Sequence, residues 1–300
     1  MSTLGCLGNP QELLKIQENS MAGRRHNYEY DVDPASDTAP ANVLRLVGQR
    51  KRVLEIGCGP GSITKLLSSQ NDCSVTALEL DPEAIEKASP YCQKIFQADL
   101  NSAEWPTLLN GEDRFDVVVA ADVLEHLYDP WITLERMVDF LNPEGYLVIS
   151  LPHVGHAAIA SCLFNGDFQY RDWGLLDRTH IRFFGLKNIE DLFSRAGLKL
   201  IEARYVIKPP QDTEFAASWS ALPGTIQNAL NSSPHAHVYQ VVVKAVPLER
   251  PQPAVSLVLL SPLRQQTMKR RTLKARVGRH LSPQLKQFIR KSFGVVGIKF

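Results

Sequence analysis

Seven short apolar runs punctuate the chain, and between most of them the apolar residues fall at the wider spacing of a helix face. Residues 53–56 (V-L-E-I), 73–80 (C-S-V-T-A-L-E-L), 95–100 (I-F-Q-A-D-L) and 115–120 (F-D-V-V-V-A) read as strands one to four. Residues 146–151 (Y-L-V-I-S-L), 198–207 and 237–246 (H-V-Y-Q-V-V-V-K-A-V) read as strands five to seven. Near-continuous runs of this kind suit strands buried on both faces, as in a parallel sheet. Helical spacing fills 41–47, 62–69, 131–141 and 186–196, with Gly197 a natural stop for the last, and a further helix is expected around 226–230. Asp81-Pro82 starts another, with Asp as N-cap and Pro at the first helical position. N-P-E-G at 142–145 reads as a turn before strand five. Strand alternating with helix predicts an α/β domain. In an open parallel sheet the ligand crevice lies at the carboxyl ends of the strands where chain order reverses, here between strands one and four.

The segments outside this alternation set the expected limits. Residues 1–38 have weak periodicity, with a helical patch at Leu13, Leu14 and Ile16, and 31–40 is a polar, proline-containing loop. Residues 152–185 are long for a connection inside a domain and are expected to form a lid or substrate loop with short helices. Residues 209–234 read as polar and irregular. The organisation expected is an N-terminal lid segment at 1–39, one domain at 40–248, and a tail at 249–300.

A hydrophobic share of 44% against 22% charged supports a packed core. The five cysteines, at 6, 58, 73, 92 and 162, are odd in number and never spaced C-x-x-C. That argues against a disulfide framework or a zinc site and for a reducing compartment. No apolar run reaches the roughly 18 residues of a membrane span, and the start lacks the basic and apolar regions of a secretion signal. A cytoplasmic protein is expected. The net charge of +1 conceals an asymmetry, since residues 251–300 hold 11 of the 33 basic residues and none of the 32 acidic ones.

Chemistry concentrates first at V-L-E-I-G-C-G-P-G-S, 53–62, where a strand meets glycines 57, 59 and 61. Glycine is required where a backbone turns sharply or approaches a ligand too closely for a Cβ. The dinucleotide fingerprint needs a third glycine at 62, which is Ser62, so a nicotinamide cofactor is disfavoured. At the end of strand two, Glu79 can accept both hydroxyl protons of a ribose, while Asp81 serves as the helix cap. Asp122, Glu125 and His126 cluster where strand four ends.

The acid-x-Gly-x-Gly-x-Gly pattern resembles motif I of the class I S-adenosylmethionine-dependent methyltransferases. That resemblance implies a Rossmann-like seven-stranded sheet, mostly parallel with the last strand antiparallel, and S-adenosyl-L-methionine as cofactor. It assigns Glu55, Gly57, Gly59, Gly61, Glu79, Asp99 and Asp122 to the cofactor, with Asp99 placed to hydrogen-bond the adenine amino group. Leu124-Glu125-His126 resembles the same position in ubiquinone-biosynthesis methyltransferases, and L-N-P-E-G-Y-L-V-I resembles the family's motif III. D-R-T-H-I-R-F-F at 177–184 resembles a segment of bacterial methyltransferases associated with cell-surface polysaccharide biosynthesis. In the resembled family an N-terminal segment folds over the cofactor, which makes Tyr28 and Tyr30 lid candidates; plain surface anchoring is the alternative.

An oxygen acceptor must lose its proton as the new bond forms, and histidine suits that near neutral pH. His126 and His180 are the candidates, with Asp177 three residues before His180 to orient its imidazole and His153 in reserve. No ligand spacing demands a metal, and none is expected. The expected reaction is O-methylation of a sugar or glycan intermediate, with a small phenolic or quinone precursor as the alternative. A non-catalytic cofactor-binding partner of glycan enzymes is the alternative from outside the enzymes. In the tail, Ser282-Pro283 opens a helical pattern with Leu285, Phe288, Ile289 and Phe293 on one face and Lys286, Arg290 and Lys291 elsewhere. Such a segment suits peripheral contact with an anionic membrane or a protein partner. Nucleic acid is disfavoured, because no recognised binding module accompanies the charge.

Overall fold

The computed structural model describes residues 29–262, and within them seven strands form one sheet in the order β3-β2-β1-β4-β5-β7-β6. The strands are β1 (Arg52–Ile56), β2 (Ser74–Glu79), β3 (Lys94–Gln97), β4 (Phe115–Ala121), β5 (Leu141–Pro152), β6 (Leu198–Ile207) and β7 (Val238–Pro247). The helices are α1 (Ala39–Val47), α2 (Thr64–Ser69), α3 (Pro82–Ala88), α4 (Pro130–Val138), α5 (Ala157–Phe164), α6 (Leu186–Arg195), α7 (Ala216–Ser220) and α8 (Gly224–Asn231). The first five strands run parallel, and β7 is antiparallel to both β5 and β6. This is the Rossmann-like methyltransferase sheet. Tyr28, the patch at 13–16 and the basic helix expected at 282–294 lie outside the described residues.

Burial explains why the central strands read as unbroken apolar runs. Val117 and Val119 of β4 face one layer with Val43, Val47 and Val53, while Val118 and Ala120 face the other with Leu134, Met137, Leu192 and Phe193. Each fully buried aliphatic side chain of this kind contributes about 1.5–3 kcal/mol. Helix starts follow their local chemistry: Asp81 accepts from the Glu83 N–H at 2.9 Å, and Asp129 accepts from the Ile132 N–H at 3.0 Å.

Three elements depart from the sequence pattern. N-P-E-G is no free turn; β5 begins at Leu141, and the pairing jumps from Phe115↔Leu141 to Val117↔Tyr146. Asn142 holds that bulge, donating to Asp116 Oδ1 and accepting from the Glu144 N–H. Helix α7 forms inside the stretch read as irregular because Trp219, 6% exposed, packs with Ala157, Leu222 and Ala236. The domain also continues past residue 248. The Val255 N–H donates to the Leu200 carbonyl at 2.7 Å, Glu190 accepts from Ser256 and from the Leu257 N–H, and Tyr205 donates its hydroxyl to the Leu257 carbonyl. Leu257 itself is fully buried. The expected boundary at 248 followed the end of the last strand pattern, and the packing of Leu257 carries the described core beyond it.

Leu257→Ala is therefore expected to lower the unfolding free energy by about 2–5 kcal/mol, the cost of a core leucine truncation. Urea denaturation of the full chain measures it; a loss below about 0.5 kcal/mol would detach this segment from the core.

Candidate active site

The carboxyl ends of β1 to β4 open onto a cavity of about 770 Å³, a volume that suits a small-molecule ligand. The sheet dictates the position, because chain order reverses between β1 and β4. Gly57 has φ +68°, and a Cβ there would lie 2.8 Å from Val123 Cγ2, so this glycine lets the β1 and β4 loops touch. Gly59 has φ +54°, lines the cavity, and would project a Cβ that meets no protein atom within 4 Å. The space a side chain would fill belongs to the cavity. Gly61 is not a lining residue; a Cβ there would approach Ala88 Cα to 3.0 Å, so its place is the seating of α3.

Four of the assigned carboxylates line the cavity, each held differently. Glu55 is buried, accepts from Thr64 Oγ1 at 2.7 Å, and is pushed up to about 7, first by burial. Glu79 accepts from the Gly59 N–H at 2.8 Å with one oxygen and from the Leu80 and Asp81 N–H groups with the other. Asp99 is exposed and accepts from the Asn101 N–H at 2.9 Å, closing its own loop. Asp122 takes φ +55°, a conformation that costs a non-glycine residue energy, at the mouth of β4. Ser150 Oγ and Gln240 Nε2 hold its two oxygens at 2.7 and 2.9 Å, and burial raises its carboxyl above the usual range. Neither Ser150 nor Gln240 belongs to a motif. The available signal was a polar residue interrupting an apolar strand, buried for Ser150 in β5 and half-buried for Gln240 in β7.

Opposite the glycine loop, Glu125, His126 and His180 converge. The rings of His126 and His180 meet edge to face with centroids 4.7 Å apart. His180 Nε2 lies 3.9 Å from Glu125 Oε1. This is not an ion pair: burial holds the Glu125 carboxyl well above its ordinary range, and burial with His126 nearby pushes His180 down to about 4. Loop 152–185 is fastened there, because the Glu125 carbonyl accepts from the Ile181 and Arg182 N–H groups at 2.9 and 3.0 Å.

Asp177 does not orient the His180 ring, contrary to the expectation from its spacing. The Asp177–His180 turn closes by a backbone bond, and the Asp177 carboxylate folds back onto Thr179, accepting from its N–H and its hydroxyl at 2.8 and 2.7 Å. Thr179 Oγ1 is in turn 3.0 Å from His126 Nδ1, with the Thr179 carbonyl at 3.2 Å. Asp177 thus supports the other histidine. Since a carbonyl only accepts, His126 carries its proton on Nδ1. His180 Nδ1 faces the Leu175 carbonyl at 3.3 Å and is protonated on the same grounds. Each ring is left with an Nε2 lone pair.

His153 is outside the lining, its Nδ1 facing the Val238 carbonyl at 3.1 Å. Tyr30 does line the cavity, and its N–H donates to Ser62 Oγ at 3.1 Å. Among the described residues no helix is long and apolar enough to cross a membrane.

A parallel sheet, a glycine loop after its first strand and acids at the next three strand ends define an α/β protein with a small-ligand site at the β1/β4 reversal. A methyltransferase-domain family model matches residues 25–203, and the chain belongs to that family. It is 31% identical to the ubiquinone biosynthesis O-methyltransferase of Xylella fastidiosa over 134 residues, 41% of this chain and 54% of that one. It is 26% identical to (S)-coclaurine N-methyltransferase of Papaver somniferum over 165 residues, 50% of this chain and 45% of that one. The chain thus spans about half the length of these curated relatives. Among solved structures, Burkholderia thailandensis 1,6-didemethyltoxoflavin-N1-methyltransferase, with bound 1,6-didemethyltoxoflavin and S-adenosylhomocysteine, is 19% identical at a TM-score of 0.48. That match covers 82% of this chain and 94% of that one.

Glu55 makes stability depend on pH in a defined direction. Between about 4.5 and 7 the folded chain keeps a proton there that the unfolded chain releases, so stability falls as pH rises through this window. Glu55→Gln keeps an acceptor for Thr64 and is expected to remove about 3 kcal/mol of that fall. Denaturation of both proteins at pH 5 and pH 8 reads the difference; parallel profiles would place the Glu55 carboxyl at its ordinary value.

Proposed function

We propose that this chain transfers the methyl group of S-adenosylmethionine to a hydroxyl oxygen of a small acceptor. The observation that carries the reading is one cavity shared by the glycine loop with Glu79 and by the Glu125, His126 and His180 cluster. The residues present fit the cofactor: the room beside Gly59 admits a ligand against bare backbone, and Glu79 brings to the same cavity a carboxylate that ribose hydroxyls can use. When bound, the cofactor supplies an electrophilic methyl on a sulfonium whose leaving group is a neutral thioether.

The chain's share is placement and proton handling. Holding the acceptor oxygen in line is worth about 7–11 kcal/mol. Gly57 and Gly59 would admit the cofactor, and Glu79 and Asp99 would hold its ribose and its adenine. Glu55 braces the loop through Thr64. Asp122, held by Ser150 and Gln240, fixes the wall between cofactor and acceptor. His126 and His180 keep their Nε2 lone pairs free at the acceptor end of the cavity, and Asp177 acts through Thr179 as a positioning residue.

One relative is named for O-methylation in ubiquinone biosynthesis and the other for N-methylation. The first supports a phenol or quinone precursor over the glycan expected on sequence resemblance. The exposed Trp173 and half-exposed Tyr30 at the cavity suit a flat ring. Transfer of labelled methyl is measured with panels of catechol-type phenols, amines and sugars. Incorporation into phenols as an ether is expected; incorporation only into sugars or amines overturns the acceptor class. Binding of S-adenosylhomocysteine with no transfer to any panel would favour the non-catalytic reading.

For the tail, the 11 basic residues without an acid support reversible attachment to an anionic surface. Sedimentation with anionic but not neutral vesicles is expected for the full chain and is lost in a chain ending at residue 262. Residue 250 is the wrong place to cut, since Leu257 is core. Equal sedimentation of the two chains would clear the tail of this role.

Two substitutions separate the ends of the cavity. Glu79→Ala is expected to weaken S-adenosylhomocysteine by about 1.5–3 kcal/mol, roughly 10- to 150-fold in Kd by calorimetry. His126→Gln and His180→Gln are expected to lower turnover by about 10²–10⁴-fold, with that Kd changed less than about threefold. Unaltered turnover in both histidine variants would remove the cluster from the reaction.

A further inference from the structure

We propose that Glu125, His126 and His180 hold a divalent transition-metal ion at the acceptor end of the cavity. The inference rests on the methyl-transfer reading for its purpose but not for its geometry. One ligand atom from each residue lies within 4.8 Å of the others. The 3.9 Å between His180 Nε2 and Glu125 Oε1 is somewhat wider than the roughly 3.4 Å between tetrahedral ligands bound at about 2.0–2.2 Å, so an ion would draw these side chains inward by about half an ångström. Three protein ligands leave a coordination position open, as catalytic sites do.

Two further features point to a ligand. Glu125 is 0% exposed, and neither of its carboxylate oxygens has a hydrogen-bond partner among the described residues. A buried carboxyl without a partner is costly, and a cation in the cavity it lines would supply one. Each histidine is also held by its far nitrogen. His180 Nδ1 faces the Leu175 carbonyl; His126 Nδ1 faces the carbonyl and hydroxyl of Thr179, which Asp177 supports. Metal-binding imidazoles are fixed in this way, with the free nitrogen turned to the ion. The backbone bonds from Ile181 and Arg182 to the Glu125 carbonyl bring His180 over a residue 55 positions earlier.

Two imidazoles and one carboxylate favour Mn²⁺, Fe²⁺, Co²⁺ or Zn²⁺ over Ca²⁺, which takes oxygen ligands. An acceptor hydroxyl in the open position would lose its proton to water more readily, as water does on a cation. Its oxygen lone pair then forms the C–O bond while the C–S bond breaks and its electron pair returns to sulfur. The histidines act as ligands in this step.

The test uses the full chain, stripped with chelator and titrated calorimetrically with Mn²⁺, Zn²⁺ and Mg²⁺. S-adenosylhomocysteine is titrated in parallel. One Mn²⁺ or Zn²⁺ per chain is expected, with Mg²⁺ weaker. Glu125→Gln and His180→Gln are expected to weaken the ion at least about 100-fold, and Thr179→Val, one shell out, about 10- to 100-fold. S-adenosylhomocysteine affinity stays within about threefold in all three, which reports an intact fold. A wild-type chain that binds S-adenosylhomocysteine but neither Mn²⁺ nor Zn²⁺ overturns the site. So does stoichiometric binding undiminished in both ligand variants. Metal binding without S-adenosylhomocysteine binding would leave the site standing and bring down the methyl-transfer reading instead.

Discussion

Val53, Leu54 and Glu55 pair in parallel with Val117, Val118 and Val119, while β2 lies beyond β1 and β5 lies beyond β4. The chain must therefore leave these two neighbouring strands toward opposite edges of the sheet, and no helix can cover the gap between their carboxyl ends. Everything chemical in the molecule is set by that gap. The glycine loop leaves one strand and the Asp122 to His126 segment leaves the other, and Gly57 against Val123 is where they touch. A side chain larger than hydrogen at Gly57 would push the two halves of the site apart. The antiparallel β7 adds a reach across the site from the far side of β5, since its Gln240 ends on Asp122.

Crowding of acids is the consequence. Glu55 and Glu125 are buried and Asp122 is half-buried near the carboxyl ends of β1 and β4, and burial raises all three. The fold compensates two of them: Thr64 donates to Glu55, and Ser150 and Gln240 donate to Asp122. Among the described residues nothing donates to the Glu125 side chain, although its carbonyl anchors the substrate loop. The asymmetry separates residues that shape the wall from a residue kept for a ligand. A purely structural glutamate at that depth would be more stable as a hydrophobic residue of similar volume.

Much of this was legible in the sequence because it is local. Strand runs, the Asp81 and Gly197 helix signals and the glycine loop depend on neighbours a few residues away, and β6 spans the very residues its pattern predicts. Glu55, Glu79, Asp99 and Asp122 were readable as strand-end acids for the same reason, and all four line the cavity. What was illegible depends on contacts between distant segments. Asp177 lies three residues from His180 in sequence, yet an Asx turn through Thr179 delivers its support to His126. The segment around Leu257 carries no motif and has little charge, and only Glu190 and Tyr205 show why it stays. At 142–145 the turn composition was real, but Asn142 bonds Asp116 across the strand pair and absorbs the turn into β5 as a bulge.

The pairing of His126 with His180 constrains how the cluster can work. With ring centroids 4.7 Å apart in a buried setting, a proton on one ring raises the cost of a proton on the other. Burial and the neighbouring His126 both disfavour a proton on His180. As bases the two rings would be redundant, since one acceptor hydroxyl yields one proton. As donors to a single cation they are complementary, and the ion would meet the Glu125 carboxyl, whose oxygens have no hydrogen-bond partner among the described residues. The bonds on their Nδ1 atoms serve that second use as well, because they leave the Nε2 atoms free. Redundancy on one account and complementarity on the other is the physical reason to treat the three residues as one site.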